Sequence, residues 1–583
     1  MKKILSIVLS VCLCLTFVVV LTGCATKYDT KTTIVIEPYG AAGYGLAWLD
    51  KLATEWTETN KDLGFNIIVK KSSNNLAGTH LSQIAAGSTD TDIYIASTTD
   101  YQQGFYRDYF EDLSDLLDVK PDGDGGLTIK EKINDYDSWK QLSSKWVYDA
   151  SSNSYSLEGC YMLPHSKTLT GMVYDHDDFV EKGLLTYAEN SDEVKAALTE
   201  QGITYSVNGG KLVFVGSTAY TNYTKGDYIL SAGKDGKYGT YDDGQPQTLA
   251  EFDTMINKIK GIGVPFIAQN QDASYITYIT DAYFTQYAGM DAYSAVVSYD
   301  SNGKAIALAD GTTATIDMSN GYLANNAKGI AEAINFTAKY FNKGNSTVCS
   351  YQATVDAMQR EFVTGGTGDA KATFYGMAID GNWFEMEAAS TMNTANKYSD
   401  KPRGYGEVDY RFMLLPNIDG QLGIDGEGNG SVMAGIENGG LLVRKQTDSN
   451  KLAAIKSFIA YTLSNDALSD TTASCGLVRN YKYTMTDSQL ASMTPFQRTC
   501  YSIFTDTDNV KVLTARADRG RNPICWSGAT KLETLFTING QTPIEAILSG
   551  STAESCISGI KDMFSANSWA SAVTTMNNTL PKK

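Results

Sequence analysis

The sequence has 583 residues, 43% of them hydrophobic, with 52 Gly, 11 Pro and 20% charged residues. This composition excludes collagen-like, low-complexity and disordered chains, so the protein must bury a large core. The net charge of −18 argues against a sequence-independent grip on nucleic acid. Only three His residues are present, which argues against a His-rich metal enzyme.

Residues 1–24 form the first informative segment. Lys2 and Lys3 precede an apolar run over residues 4–21, which ends in Leu21-Thr22-Gly23-Cys24. A charged start, an apolar centre and small final residues predict an export signal over residues 1–23. The tetrapeptide resembles a bacterial lipobox, in which cleavage leaves Cys24 as the lipidated first residue. An uncleaved single-span anchor stays open, because the run is just long enough to cross a bilayer.

The remaining cysteines are scattered. Cys12 and Cys14 leave with the signal, and no CxxC or zinc-type spacing appears in the rest of the chain. We expect these residues to be mostly buried, and the sequence leaves one or two disulfides open. They are Cys160, Cys349, Cys475, Cys500, Cys525 and Cys556.

A polar tether over residues 24–31 precedes an alternation of strands and helices. Residues 34–37, 65–69 and 92–96 are apolar runs that predict strands. Apolar residues recur at helical spacing from Leu46 to Trp56, and residues 76–86 predict a second helix. Strand, helix, strand, helix, strand indicates a parallel sheet.

The same alternation returns in the middle of the chain. Thr248 and Glu251 have the spacing of a capping box, and they open an apolar-periodic helix that a strand at residues 264–268 follows. Residues 181–244 and 291–318 are rich in Tyr, Gly, Asn, Asp and Ser, with weak periodicity. Those two stretches predict loops and small β insertions.

Several polar residues follow predicted strands. In doubly wound sheets, ligands bind outside the carboxyl ends of the strands. This rule favours residues 37–39 and 97–100 and the turn after residues 161–165 as a ligand site, although each is also consistent with an ordinary solvated loop. The candidates are Glu37, Tyr39, Ser97, Asp100 and His165.

Seven segments in a fixed order then resemble a known family. They are residues 81–87 with Thr91-Asp92-Ile93, residues 161–164, residues 172–184, residues 377–383, residues 414–416 with 439–443, residues 453–463, and Trp526 followed by residues 542–546. The segments are similar to those of the extracellular solute-binding proteins of ABC importers, in the sugar-binding family that includes maltose-binding protein. Thr91 and Asn382 replace usual prolines, and Asp175 replaces a usual Asn.

The resemblance implies an α/β fold of two doubly wound lobes joined by a hinge, of the type II periplasmic-binding-protein kind, with loop and β insertions in the second lobe. It places lobe 1 at residues 32–155 and 405–467, and lobe 2 at residues 156–404 and 468–583. It also implies that Trp383 and Trp526 stack on a sugar, while the five strand-end candidates take its hydroxyl groups. A core tryptophan beside the hinge is the alternative for Trp383, and a core role is likewise the alternative for Trp526.

An acidic turn suggests an ion site. Asp235, Asp242 and Asp243 lie in a Gly-rich stretch over residues 234–244, and Ca²⁺ prefers six to eight oxygen ligands. The spacing is not that of an EF-hand. We therefore predict a structural Ca²⁺ site here, with an ion-free Gly/Asp turn as the alternative.

We expect a binding protein and not an enzyme. The chain would be a monomer held by lipid on the extracellular face of the bacterial membrane, without binding nucleic acid. It would capture a carbohydrate, most simply an oligosaccharide given the long insertions, and deliver it to the permease subunits of an ABC importer. The alternatives are a surface glycoside hydrolase, which needs two carboxylates roughly 5–9.5 Å apart, and a receptor for a non-sugar polar solute.

Overall fold

The computed structural model describes residues 28–39, 41–71, 77–96, 101–219, 221–270, 274–365, 373–395, 403–435, 439–514, 522–526 and 543–583. Among these residues, every helix is too short or too polar to cross a bilayer. The chain alternates strands and helices throughout, so the predicted α/β class is confirmed.

The strands, in chain order, are β1 (Thr33–Pro38), β2 (Asn66–Val69), β3 (Ile93–Ala96), β4 (Lys145–Asp149), β5 (Ser154–Glu158), β6 (Leu163–Pro164), β7 (Thr170–Asp175), β8 (Ile203–Asn208), β9 (Lys211–Ser217), β10 (Gly263–Gln269), β11 (Ala305–Ala307), β12 (Thr313–Thr315), β13 (Cys349–Gln352), β14 (Phe374–Gly381), β15 (Tyr410–Met413), β16 (Ser431–Ala434), β17 (Gly440–Val443) and β18 (Val510–Leu513).

The α-helices are α1 (Ala41–Tyr44), α2 (Ala47–Thr59), α3 (Ala77–Ala85), α4 (Gln102–Tyr106), α5 (Ile129–Lys132), α6 (Tyr136–Ser143), α7 (His176–Glu181), α8 (Asp192–Glu200), α9 (Leu249–Lys260), α10 (Ser274–Ala288), α11 (Met290–Ser298), α12 (Ile330–Phe341), α13 (Val355–Thr364), α14 (Phe384–Glu387), α15 (Ala389–Ala395), α16 (Ser449–Thr462), α17 (Asn465–Cys475), α18 (Asp487–Ser492), α19 (Pro495–Thr505), α20 (Pro523–Trp526), α21 (Pro543–Leu548), α22 (Ala553–Lys561) and α23 (Ala566–Thr579). Short 3₁₀ turns lie at Lys61–Leu63, Ser114–Asp118 and Gly321–Asn326.

Lobe 1 is built on a five-stranded sheet in the order β2-β1-β3-β17-β6. Strand β1 pairs in parallel with both β2 and β3, which confirms the parallel sheet predicted from the first three strands. Strand β17 comes from a distant part of the chain and pairs antiparallel with both β3 and β6. Residues of β1 and β3 are almost wholly buried, so helices cover both faces of this sheet.

Lobe 2 is built on a seven-stranded sheet in the order β13-β10-β14-β7-β16-β18, with β15 paired to β7. The capping box of Thr248 and Glu251 starts α9 as predicted, and β10 follows it. The β8–β9 and β11–β12 hairpins are the small β insertions that the sequence predicts.

The chain crosses between the two sheets more than once. It leaves lobe 1 after β6 and enters lobe 2 at β7, and the connecting residues 165–169 are called the hinge segment below. It returns between β16 and β17, and it crosses a third time after α17. Helix α17 contacts α2 of lobe 1 through the Lys51–Asp470 ion pair at 3.0 Å, whereas α19 places Phe496 5.5 Å from the ring of Phe412 in lobe 2.

These crossings correct the predicted lobe boundaries. Strands β15 and β16 belong to the sheet of lobe 2, although we assigned residues 405–467 to lobe 1. Conversely, β5 and β6 and the end of α17 lie with lobe 1 and not with lobe 2. The motifs locate the strands along the chain. They do not reveal which strands pair, because pairing depends on contacts between residues that are distant in the sequence.

One stretch predicted as loop is partly helical. Residues 290–298 form α11, and most of its side chains are buried. Because its buried residues are distributed around most of the helix, its sequence lacks the one-sided periodicity by which a surface helix is recognised. Tertiary burial therefore overrides the Gly- and Tyr-rich composition around it.

A buried carboxylate ties the parts of lobe 1 together. Asp92 is fully buried at the start of β3, where its Oδ2 accepts a hydrogen bond from the Val35 amide at 3.0 Å. Its carboxylate also pairs with Arg444 at 3.0 Å and with Lys451 at 2.7 Å. Asp92 thus joins β1 and β3 to the returning strand β17 and to α16.

We expect Asp92→Ala to lower the free energy of unfolding by about 3–5 kcal/mol, because the change leaves two cations without their buried partner. Urea unfolding measures this loss. Asp62→Ala, at an exposed carboxylate of the same lobe, is the matched control and should change stability by less than about 0.5 kcal/mol. Equal effects of the two variants would contradict the structural role of Asp92.

Candidate functional site

The two lobes meet at the ends of strands β1 and β14. Helix α1 follows β1 in lobe 1 and contacts α14, which follows β14 in lobe 2. A Cβ atom built on Gly43 of α1 would lie only 2.9 Å from the Cβ of Trp383. The carboxyl ends of parallel strands from both sheets therefore face each other, as at the ligand crevice of open α/β folds.

Trp383 lies at the centre of this contact and is 7% exposed. Its indole lies across Gly381, where an added Cβ would approach the ring to 2.3 Å. Tyr275 of α10 meets the ring edge to face, with 5.9 Å between centroids. The indole is therefore covered from lobe 1 by Gly43 and from lobe 2 by Tyr275, so separation of the lobes would expose it.

Asn382 fixes the neighbouring backbone to the hinge segment. Its backbone amide donates to the Leu169 carbonyl, and its side-chain Oδ1 accepts from the Leu169 backbone amide, both at 3.0 Å. Within the described residues, Asn382 Nδ2 is buried without a hydrogen-bond acceptor. The residue that replaces the family's proline thus anchors Trp383 and leaves one donor unused.

Two acids flank Trp383 along the chain, Asp380 at the end of β14 and Glu387 in α14. Gln359 Nε2 donates to Asp380 Oδ2 and to Glu387 Oε2, each at 3.0 Å. Asp380 is fully buried, and it also accepts from the Gly381 amide at 2.8 Å. Burial, together with the nearby Glu387 carboxylate, raises the pKa of Asp380 to about 8, so Asp380 keeps its proton at neutral pH.

Glu37, a predicted ligand residue, is engaged inside lobe 1. Its Oε1 accepts from His80 Nε2 at 3.0 Å, and its Oε2 accepts from Thr91 Oγ1 at 2.9 Å and from Lys70 Nζ at 3.2 Å. Burial opposes ionisation, but these hydrogen bonds outweigh it and lower the pKa of Glu37 to about 2. Both carboxylate oxygens are occupied, so we assign Glu37 a structural role in this structure.

His165 is buried in the hinge segment. Its ring lies 5.6 Å from that of Trp48, and its carbonyl accepts from Arg479 Nε at 2.7 Å. Burial and the positive charge of Arg479 hold the pKa of His165 well below its usual range, so the ring is neutral. Among the described residues, its Nδ1 has no hydrogen-bond partner.

The other predicted ligand residues are placed only in part. Tyr39 follows β1, is half-buried, and donates its amide to the Ile95 carbonyl at 2.8 Å. Ser97 and Asp100, which follow β3, lie outside the described residues, as does Cys24. The backbone of Trp526 ends α20, but its side chain also lies outside them.

The acidic turn uses its carboxylates to bind its own backbone. Asp242 Oδ2 accepts from the Lys234 amide, and Asp243 Oδ2 accepts from the Gly239 amide, each at 2.7 Å. Asp235 Oδ1 accepts from the amide two residues further on. No group of three or more His, Cys, Asp or Glu in the described part of the chain, which includes this turn, is arranged to hold a metal ion. Calcium binding stays a prediction, and these contacts favour the ion-free turn.

The five cysteines whose side chains the structure describes are all buried. This agrees with the expected burial and leaves no disulfide among those five. They are Cys160, Cys349, Cys475, Cys500 and Cys556.

Several residues of the cleft were not predicted from the sequence. Gly43 and Tyr275 reach Trp383 from elements that are distant along the chain, and Arg479 reaches His165 from the third crossing. Asp380 lies in residues 377–383, the same segment that predicted Trp383. A carboxylate at the end of an apolar strand could have identified Asp380 from the sequence.

The geometry defines a class of protein: two α/β lobes around a hinge, with an aromatic residue in the cleft between them. The sequence model of the family described as bacterial extracellular solute-binding protein matches residues 51–366, more than half of the chain. The chain belongs to this family. Its members bind solutes outside the cytoplasm, which supports the prediction of a binding protein over that of an enzyme.

Solved structures with the same fold cover nearly the whole chain. A chitin oligosaccharide binding protein matches with a TM-score of 0.52 and 12% identity, over 94% of this chain and 100% of that one. A protein of xylan utilization from Caldanaerobius polysaccharolyticus matches with a TM-score of 0.51 and 14% identity, over 91% and 100% of the two chains. Unliganded RafE from Streptococcus pneumoniae matches with a TM-score of 0.50 and 14% identity, over 95% and 100%. A search of curated protein sequences finds no match.

The acid pair generates a prediction about pH. Folded Asp380 keeps a proton up to a pKa of about 8, whereas an unfolded aspartate releases it near pH 4. Between these values the folded state binds more protons, so the free energy of unfolding falls as pH rises. Asp380→Asn should remove this contribution and flatten the slope by up to about 1.4 kcal/mol per pH unit.

Urea unfolding at several pH values between about 4 and 8 measures both slopes. Asp62→Asn, at an exposed carboxylate, is the control and should keep the wild-type slope. A wild-type slope in Asp380→Asn would show that Asp380 is ionised in the folded protein.

Proposed function

We propose that this protein is a carbohydrate receptor that closes its two lobes over a sugar and delivers it to an ABC importer. The family assignment supports solute binding outside the cytoplasm. The sugar-binding proteins that share the fold support a carbohydrate ligand. An oligosaccharide suits the long insertions of lobe 2 better than a single sugar does.

The observation that carries the proposal is the position of Trp383. An indole at the end of a central strand, covered partly by the opposite lobe, is a flat apolar surface that opens and closes with the cleft. Sugar rings present apolar C–H faces that stack on such a surface, while their hydroxyl groups need polar partners. Lobe closure then contributes to affinity through the difference between the open and closed states.

Buried polar atoms at the hinge can supply such partners. Asn382 Nδ2 and His165 Nδ1 are both buried without hydrogen-bond partners among the described residues. Buried polar groups are nearly always hydrogen-bonded, so unpaired ones beside a cleft are expected to pair with a ligand or with water. The neutral state of His165 suits an uncharged hydroxyl partner.

The acid pair does not favour the glycoside hydrolase alternative. Hydrolysis needs two carboxylates that both reach the substrate. Asp380 is fully buried, and Gln359 bridges it to Glu387. Both oxygens of Asp380 accept hydrogen bonds inside lobe 2, from Gln359 and from the Gly381 amide, which suits binding without bond cleavage.

We expect Trp383→Ala to weaken sugar binding by about 2 kcal/mol or more, roughly thirtyfold in the dissociation constant, because it removes a large and rigid stacking surface. Isothermal titration calorimetry against a panel of mono- and oligosaccharides measures the change. Trp383→Phe keeps an aromatic face and should lose less affinity than the alanine variant.

The free energy of unfolding is measured in parallel, since truncation of a core tryptophan costs ~3–5 kcal/mol of stability. A destabilised Trp383→Ala protein with unchanged affinity would assign Trp383 to the core alone. If no glycan gives heat while amino acids, peptides or metal ions do, the proposed ligand class is wrong, although the assignment of the fold is unaffected.

We also propose that Cys24 carries the lipid that holds the receptor at the extracellular face of the membrane. Cys24→Ala should abolish incorporation of a labelled fatty acid, because the thiol is the acylated atom. Cys14→Ala, in the apolar part of the signal, is the matched control and should keep the label. Label that persists in Cys24→Ala would refute the lipid anchor.

A further inference from the structure

A cavity lies between the lobes, away from Trp383. It has a volume of about 260 Å³. Lobe 1 contributes residues from α6 and β4, and lobe 2 contributes residues from α11 and β18; Lys167 of the hinge segment also lines it. We call it the rear cavity.

The strand order places the rear cavity on the opposite side of the hinge from Trp383. In lobe 2, β14 carries Trp383 near its end, and β18 lines the rear cavity; the hinge strands β7 and β16 lie between them. In lobe 1, β1 leads to Gly43, whereas α6 lies beyond the edge strand β6, where Trp139 Nε1 donates to the Met162 carbonyl at 3.0 Å. The two sites are therefore separate.

The lining of the rear cavity is polar and nearly neutral. Asp135 and Asp300 are balanced by Lys167 and Lys511. The remaining lining is dominated by amide and hydroxyl side chains, together with aromatic residues that include Trp139 and Trp146. Aromatic faces combined with uncharged hydrogen-bonding groups suit a neutral compound that has apolar faces and many hydroxyl groups.

Two lining residues have buried atoms that are not satisfied by the described protein. Asn480 is 4% exposed, and its Oδ1 has no donor within that part of the chain. Trp146 Nε1 likewise has no acceptor there, in contrast to Trp139. The unused acceptor and the unused donor belong to two residues that line the same cavity, and a hydroxyl group, which both donates and accepts, is complementary to both.

We propose that the rear cavity binds a small neutral polyhydroxy compound of monosaccharide size, with Trp146 and Asn480 as its principal contacts. The volume lies just below the ~300–1,000 Å³ of pockets for drug-sized ligands, which suits a monosaccharide better than an oligosaccharide. We call the cleft at Trp383 the front cleft. Since both lobes line the rear cavity, a ligand bound there changes the arrangement of the lobes and hence the affinity of the front cleft.

The test uses the full mature chain with Trp383→Ala, which weakens binding in the front cleft. Calorimetry with glucose, galactose, xylose and N-acetylglucosamine should show one remaining site for at least one of these sugars. Adding Trp146→Ala should weaken that site at least tenfold, and Trp146→Phe should weaken it less. Unfolding measurements confirm that each variant is folded.

If none of the four sugars gives heat with the folded Trp383→Ala protein, the proposal is overturned. Binding that Trp146→Ala leaves unchanged would also overturn it, because the remaining site would then be the front cleft. The two proposals fail separately: a wild-type protein that ignores all oligosaccharides but shows Trp146-dependent monosaccharide binding would refute the proposed function and support the rear site.

Discussion

The arrangement of the whole molecule depends on how the hinge segment is held. Residues 165–169 are hydrogen-bonded to both neighbouring crossings: the His165 amide donates to the Gly439 carbonyl at 2.6 Å, and the Lys167 amide donates to the Val478 carbonyl at 2.9 Å. Arg479 holds the His165 carbonyl, and Asn382 holds Leu169 at the other end. Hydrogen bonds from both neighbouring crossings and from two side chains thus fix a short buried segment between the two packed lobes.

The position of this segment gives the molecule two interlobe regions, one on each side of the hinge. The hinge strands lie inside the sheet of lobe 2 and at one edge of the sheet of lobe 1. Space between the lobes therefore exists on both sides of the hinge, with Trp383 in front and Trp146 behind. A rotation that widens one side must narrow the other, so the two sides cannot change independently.

The features that could be predicted from the sequence are those that leave a local pattern. Strands β1, β2 and β3, the capping box of Thr248, and Trp383 at the end of a strand were all recognisable from short-range periodicity and motif order. The partners of β15 and β16 were not, because pairing across hundreds of residues leaves no local pattern. Glu37 shows the same limit in the site: its position after a strand looked suitable for a ligand, but His80, Thr91 and Lys70 occupy it, and no short-range rule brings those three residues together.

The contact at Trp383 also determines what a ligand has to overcome. Burying an aromatic side chain stabilises a structure by roughly 1.5–3 kcal/mol, and here part of that burial comes from Gly43 of the opposite lobe. Under the proposed function, a sugar that stacks on the indole must displace this cover, so its net affinity is the stacking energy minus the energy of the lobe contact that it replaces. On that proposal, small or weakly stacking solutes cannot compensate for the loss, whereas a ligand that reaches polar groups of both lobes can. The proposed receptor would therefore gain selectivity from the closed contact itself, in addition to any residues that recognise a particular sugar.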